Sequence, residues 1–413
     1  MTARVASNYT KSRIKSVFQS EEAAAADRIE VNRQSGELIA QTLGELKGAV
    51  MKVGQMASIA KDVLPREIAD ALQSLQRDAP PMDYEVIAEQ IEKEFGCLPE
   101  TLLSEFSREP FASASIGQVH RAKTDDGREV VVKVQYPGVD GAVDSDLTQL
   151  KWALRASGLA RMNRRALDAL FAEMRRSLVE ELDYCNEADN VRLFHEHYAN
   201  DARVVVPQVI GERSSQRVLT LSYEPGDQLS ETSKYPQEVR DKLGETLFSL
   251  LADQIFDWRV LHADPNPANF AFRPDGTMVL YDFGCVKRLN DDIIDAYRDT
   301  INACLVEDYA AVEDGMIRLG ARDVDGPAVP LEYYKQWRDL LAKPILGDDF
   351  DYGTSDIHHE VLKLVPGFLA KHLRSFQPPT ELVFVDRVVV GHYGTLRQLQ
   401  THGNFRAILQ PYL

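Results

Sequence analysis

Two short runs hold the side chains best suited to chemistry: His262-Ala263-Asp264-Pro265-Asn266-Pro267-Ala268-Asn269 and, thirteen residues beyond Asn269, Asp282-Phe283-Gly284. A carboxylate such as Asp264 can orient or deprotonate a nucleophile. Asn269 and Asp282 carry the hard oxygen ligands that magnesium takes, and magnesium bridges the phosphates of a nucleotide. Together they form a set suited to moving a phosphoryl group. Each half alone is weak, because an H-x-D run can be an ordinary turn with self-capping side chains. Their order and spacing strengthen the pair, as does the hairpin between them, Asn269 to Arg273 and Thr277 to Tyr281 joined by Pro274-Asp275-Gly276.

The nucleotide phosphates also need a cation. Lys133 lies in the β-prone run Glu129 to Gln135, where it reads equally as an outward strand lysine or as a phosphate ligand. Glu187, on the helical stretch that follows, is the carboxylate expected to orient it. Ala112-Ser113-Ala114-Ser115 precedes the first strand of the same small sheet, in the place where protein kinases carry a glycine-rich phosphate loop. Side chains there restrict the positive-φ backbone on which such loops depend. Tyr223, at the end of the last strand of that sheet, completes the expected cofactor-binding set with Lys133, Asn269 and Asp282.

The elements that must position these groups follow from periodicity. The front third reads as helical, with apolar residues at helical spacing up to about Lys61 and a further amphipathic helix from Tyr84 to Phe95. Strands at Gln118 to Ala122 and Glu129 to Gln135 flank Asp125-Asp126-Gly127. Helices are expected at Asp144 to Ser157 and, as one piece, at Arg165 to Phe194. Strands at Val204 to Val206 and Arg217 to Tyr223 complete the small sheet, and a mostly helical region follows Gly226. The expected division is 1–105, a helical extension; 106–225, a small mixed lobe; and 226–413, a helical lobe. The class is α+β.

The catalytic run and Asp282-Phe283-Gly284 resemble the catalytic loop and metal motif of protein kinases. Lys52-Val53-Gly54-Gln55, the alanine-rich loop, Val132-Lys133-Val134-Gln135-Tyr136-Pro137 and the pair Glu181 and Asp183 make the resemblance narrower. Together they look like the UbiB family of atypical kinase-like proteins, strongly over Thr42 to Cys285 and weakly over Pro378 to Leu399. The resemblance implies a protein-kinase-like two-lobe fold whose helical extension covers the active site, with ATP and Mg2+ as cofactors. It also implies an ATPase or small-molecule kinase that serves ubiquinone or other prenyl-lipid metabolism, with a prenyl-phenol or quinone precursor lipid as partner. Lys52 and Gln55 would then lie near Glu181 and Asp183 as a regulatory group. The alternative is a nucleotide-gated binding module for lipid precursors or partner proteins. On one continuous helix Glu181 and Asp183 point to nearly opposite sides, so only one of them is expected to face the phosphates.

Three features narrow the substrate and setting. Ala263 occupies the place where many kinases keep an arginine that reads a phosphorylated loop, and Asn290-Asp291-Asp292 signals a new helix soon after Gly284. Both argue against an ordinary peptide kinase. His262 is expected to brace the loop, while His195, His197, His358 and His359 have poor spacing for zinc.

The formal net charge of -17 opposes a phosphate backbone, so no nucleic-acid partner is expected. The four cysteines are widely spaced, which indicates a reducing, cytoplasmic setting. No apolar run is long enough to span a bilayer. The basic and apolar stretch Arg4 to Phe18 reads either as a packed or solvated helix or as a peripheral contact with the inner face of a membrane. The oligomeric state stays open.

Overall fold

The computed structural model describes residues 30, 81–114, 116–157, 164–372, 374–377 and 382–413. The Arg4 to Phe18 stretch, the helical extension to Lys61, and Lys52 and Gln55 lie outside the described residues, as does Ser115. The chain divides into two compact units, one through Asp189 plus Gln208–Tyr223 and the other Asn190–Pro207 plus Glu224–Leu413.

In chain order the elements up to Ser222 are α1 (Tyr84–Phe95), α2 (Pro99–Leu102), β1 (Glu105–Phe106), β2 (Ala112–Ala114), β3 (Gly117–Lys123), β4 (Glu129–Gln135), α3 (Val139–Ser157), α4 (Arg164–Glu181), α5 (Tyr184–His197), β5 (Val204–Val205) and β6 (Val218–Ser222). After them come α6 (Gln237–Ala252), β7 (Val260–His262), β8 (Phe270–Phe272), β9 (Met278–Leu280), β10 (Val286–Arg288), α7 (Asp291–Leu305), α8 (Tyr309–Arg318), α9 (Leu331–Leu341), α10 (Lys343–Leu346), β11 (Phe350–Asp351), α11 (Ile357–His372), α12 (Val383–Leu399), β12 (His402–Gly403) and α13 (Phe405–Leu409). The mixture is the α+β class expected from the sequence.

The first unit is built on an antiparallel sheet in the order β1-β3-β4-β6, with β2 also paired to β3. Strict alternation along β4 sends Val130, Val132 and Val134 to a core shared with Ile87 and Ile91 of α1. Lys133 and Val131 are turned to the opposite face, where the register sets them across from Val119 and Arg121 of β3. Gly127 closes the β3–β4 turn at φ +84°, a conformation that disfavours other residues. Buried Gln118 accepts from the Met82 backbone at 2.9 Å and lies 2.9 Å from the His120 ring. The other ring nitrogen of His120 donates to Ser107 at 2.8 Å, so the core of this sheet carries a paired polar network.

Three sequence expectations change here. The alanine-rich segment is not a loop before the first strand. It is a strand, β2, folded back on β3 with Ala112 opposite Val119 and Ala114 opposite Gly117. A Cβ on Gly117 would fall 2.1 Å from the Val134 carbonyl oxygen, so the tight crossing needs glycine. The helix expected from Arg165 to Phe194 is two helices, because Asp183 caps α5: its Oδ1 accepts from the Asn186 amide at 3.0 Å. Gln135 takes up the Leu182 carbonyl exposed by the break, at 2.7 Å. Finally, the Val204 strand does not extend the small sheet; β5 pairs in parallel with β9, in the second unit.

In the second unit β7 pairs with β10 and β8 with β9, both antiparallel. The chain therefore makes two nested hairpins. One excursion leaves β7 and enters β8, and the other leaves β9 and enters β10. Asp264 and Asn269 lie on the first, Asp282 on the second. Helices α6, α7 and α12 pack a common core around Leu261, Ala263, Ile294, Val385 and Val388.

Candidate active site

In the first unit the structure brings Lys133 and Glu187 together. Lys133 Nζ lies 2.9 Å from both carboxylate oxygens, and the two side chains are only 14% and 3% exposed. Strand alternation points Lys133 off the core face, and Glu187 sits in the first turn of α5, fixed by the Asp183 cap. A buried pair of this kind costs desolvation, which its geometry must repay. The ammonium also lies 5.0 Å from the ring centre of Tyr184. Glu181 ends α4 half-buried, and Asp183 is exposed with its carboxylate committed to the cap. Tyr223 donates its amide to Glu129, and its ring stacks under the Arg121 guanidinium at 3.3 Å with Phe111 at its edge.

In the second unit the register positions the rest. The Ala263 amide donates to the Cys285 carbonyl at 2.8 Å, continuing the β7–β10 pairing one step into both loops. The Tyr281 amide donates to the Asn269 carbonyl at 2.7 Å, which joins the other pair of loop ends next to Asp282. Asp264 Oδ1 accepts from the Asn266 amide at 3.3 Å, and the Asn269 side-chain amide donates to the Asp264 carbonyl at 3.4 Å. That bond turns the Asn269 amide oxygen away from Asp264 and leaves it as the acceptor end.

Asp282 adopts φ +50°, a left-handed conformation uncommon outside glycine and shared here with Arg259, Glu307 and Gln400 among the described residues. The bonds that hold it are visible. His262 Nε2 lies 2.9 Å from the Asp282 carbonyl and 3.2 Å from that of Tyr281, so this nitrogen carries the ring proton. Asn190 of α5 donates to the Phe283 carbonyl at 2.9 Å, and the Gly284 amide donates to Asp282 Oδ1 at 3.2 Å. Phe283 itself is buried against Phe194, ring centres 4.9 Å apart. His262 thus has a bracing geometry. Its own amide is fixed by Gln254, at 2.9 Å, from a π-helical turn over Asp253–Asp257.

The sequence reading did not single out Asn190, Gln254 or the residues of α12 that pack here. On α12, His392 is buried near His262, and burial first, then the neighbouring ring, pushes it down to about 3. Asn290 caps α7 through bonds to the Asp292 and Ile293 amides, as its position suggested. His358 and His359 gather with Asp356, their ligand atoms within 4.8 Å of one another, but the Arg397 guanidinium lies 3.3 Å from His358 and opposes a dication there.

Hard oxygen donors are the right chemistry for magnesium, and Asn269 and Asp282 supply them on loops locked by backbone bonds. Residues 74–316 match the family described as ABC1 atypical kinase-like domain. The chain belongs to that family. It is 32% identical to the atypical kinase COQ8, mitochondrial, of Saccharomyces cerevisiae, over 68% of this chain and 56% of that protein. It is 30% identical to the atypical kinase coq-8, mitochondrial, of Caenorhabditis elegans, over 88% of this chain and 49% of that protein. The chain therefore spans about half the length of these two curated relatives.

A solved structure, the complex of Rv3197 with erythromycin from Mycobacterium tuberculosis, matches with a TM-score of 0.67 at 28% identity, covering 95% of this chain and 98% of that one. The kinase-like α+β fold and the UbiB resemblance expected from the sequence are both borne out for this ABC1-family chain. Among the described residues, no helix is long and apolar enough to cross a membrane.

Proposed function

We propose that this ABC1-family chain binds Mg-ATP and uses it as an ATPase or small-molecule kinase. The observation that carries the reading is the left-handed Asp282, held by His262 and Asn190 beside the Asn269–Asp264 bond. Strain of this kind persists where surrounding structure over-determines it, typically at a working site. In this reading Lys133, oriented by Glu187, neutralises the α and β phosphates. Asn269 and Asp282 hold the magnesium, which when bound offsets the charge of the phosphate oxygens. Asp264 holds a water or an acceptor hydroxyl and takes its proton. Val119 and Val131, on the Lys133 face of the sheet, give the base an apolar surface. Ala112 to Ala114 form the strand nearest the role of a phosphate loop, a role the proposal extends to Ser115, and Tyr223 closes the sheet end. Lys52, Gln55, Glu181 and Asp183 form the regulatory group in this proposal.

The UbiB resemblance supports an acceptor or beneficiary among prenylated phenols and quinone precursors, met at a membrane face. The likeness to a chain solved with erythromycin makes a hydroxylated macrolide a second acceptor to try. The test is ADP release by the purified full chain, alone and with a prenylated phenol, anionic liposomes or erythromycin. Turnover that Asp264→Asn lowers by roughly 10²- to 10⁴-fold, the usual range for a positioned acid–base group, supports the enzyme. Saturable nucleotide binding with no turnover under any condition replaces it with the nucleotide-gated module.

A further inference from the structure

The family match ends at residue 316, yet a helix far beyond it grips the catalytic loop. The Arg387 guanidinium of α12 donates to the Ala263 carbonyl, 124 residues away in sequence. One turn further along the same helix, Gly391 meets Pro265 so closely that a Cβ there would lie 2.4 Å from the proline Cβ. Residues four apart share a helix face, so consecutive turns of α12 touch the residues immediately before and after Asp264. A third contact follows at once: the His392 ring packs edge-on against Phe270, the neighbour of Asn269, with centres 5.4 Å apart. The helix is itself immobilised, since Val385 and Val388 are fully buried in the core that contains Ala263.

Ala263 is thereby fixed on both sides. Its amide donates to the Cys285 carbonyl, and the oxygen of the peptide that follows it, between Ala263 and Asp264, is held by Arg387. Rotating that peptide would swing the Asp264 carboxylate and break the Arg387 bond. The resemblance to kinases places an arginine where this chain has Ala263; here a guanidinium arrives from α12 and grips the backbone.

We infer that α12 is part of the catalytic apparatus and that Arg387 is a positioning residue that sets the direction of the Asp264 carboxylate. The inference rests on the proposed role of Asp264. Arg387 touches no reacting atom in it. Gly391 is the second positioning element, because its missing side chain lets α12 approach Pro265.

The test compares full-length Arg387→Met, Arg387→Lys and Gly391→Ala with the unaltered chain. It measures ADP release over a range of ATP concentrations and amide hydrogen exchange across residues 262–269. Misplacing a reacting group by about 1 Å costs on the order of a hundredfold in rate, so Arg387→Met is expected to lower kcat by roughly ten- to a hundredfold. KM for ATP should stay within about twofold, because the magnesium ligands are untouched, whereas loss of uniform binding would raise it. Arg387→Lys should recover part of kcat, Gly391→Ala should lower it, and the Asn266 and Asn269 amides should exchange faster in Arg387→Met. Unchanged kcat in Arg387→Met overturns the inference. So does a joint loss of kcat, KM and thermal stability that lysine does not relieve, which marks ordinary packing. An unaltered chain that releases no ADP defeats the proposed turnover instead, and the exchange data then decide: unaltered protection of 262–269 in Arg387→Met overturns the positioning role, and accelerated exchange upholds it.

Discussion

The Lys133–Glu187 pair and the Asp264–Asn269–Asp282 loops reach their geometry by different means. The pair rides on regular elements: strand alternation aims the lysine, a helix cap starts the helix that carries the glutamate, and two 2.9 Å contacts finish the arrangement. The loops have no period to aim them. Besides local bonds from Asn266, Asn269 and Gly284, they are held by His262, Asn190 and Arg387, with His262 held in turn by Gln254. Side chains on periodic elements are placed mostly by local sequence, whereas side chains on loops are placed by residues recruited from distant parts of the chain.

The sharpest way to break this comparison is at the pair. Lys133→Met removes the ammonium that faces both oxygens of the buried Glu187 carboxylate, so stability in chemical denaturation should fall, by up to about 3–5 kcal/mol. The double variant with Glu187→Leu should recover most of it. A single variant as stable as the parent would show that the pair is not buried as described.

The loops should reveal themselves through pH. His392, pressed down to about 3 from an ordinary 6.5, binds fewer protons folded than unfolded. Stability is then complete above about pH 6.5 and drains away as pH falls toward the folded value, by roughly 2 kcal/mol at pH 5 as an upper bound. Denaturation midpoints from pH 7.5 to 5 should show that slope, and His392→Leu should flatten it. An identical slope in both proteins would remove His392 from the account.

The smallest effect is the most local. Asn190→Ala deletes the donor to the Phe283 carbonyl and should cost about 1 kcal/mol in urea unfolding. Gln135→Ala, which frees the Leu182 carbonyl at the α4–α5 break, should cost about as much. The two differ in function: only Asn190→Ala relaxes the backbone beside Asp282, so only it should weaken magnesium-dependent nucleotide binding. Equal weakening by both would erase the contrast between periodic and recruited placement.

The same contrast explains what was legible. The expected β4 span, Glu129 to Gln135, and the Tyr84 to Phe95 helix coincide with the structure because alternation and helical spacing are local signals. The Pro274-Asp275-Gly276 turn was readable for a similar reason, with Gly276 at φ +84°. The site residues were named from motif order, and the nested hairpins set Asp264 and Asn269 on one loop and Asp282 on the other. The break at Asp183 escaped because its helix-forming flanks outweighed one capping side chain. The strand character of Ala112–Ala114 escaped because its small residues carry little β signal and its pairing is set by Gly117. Arg387 and Asn190 could not be read at all, since neither periodicity nor a local motif announces a bond made across more than ninety residues.

The central claim is that Asp282, in its strained conformation, holds magnesium for a nucleotide. It is tested most directly by ATP-induced stabilisation of the full chain with magnesium or with chelator, beside Asp282→Asn. At a hundredfold excess of nucleotide over its dissociation constant, the unaltered chain should gain about 2.7 kcal/mol with magnesium, and the variant and the chelated sample should gain little. Equal, magnesium-independent stabilisation of both proteins would contradict the claim.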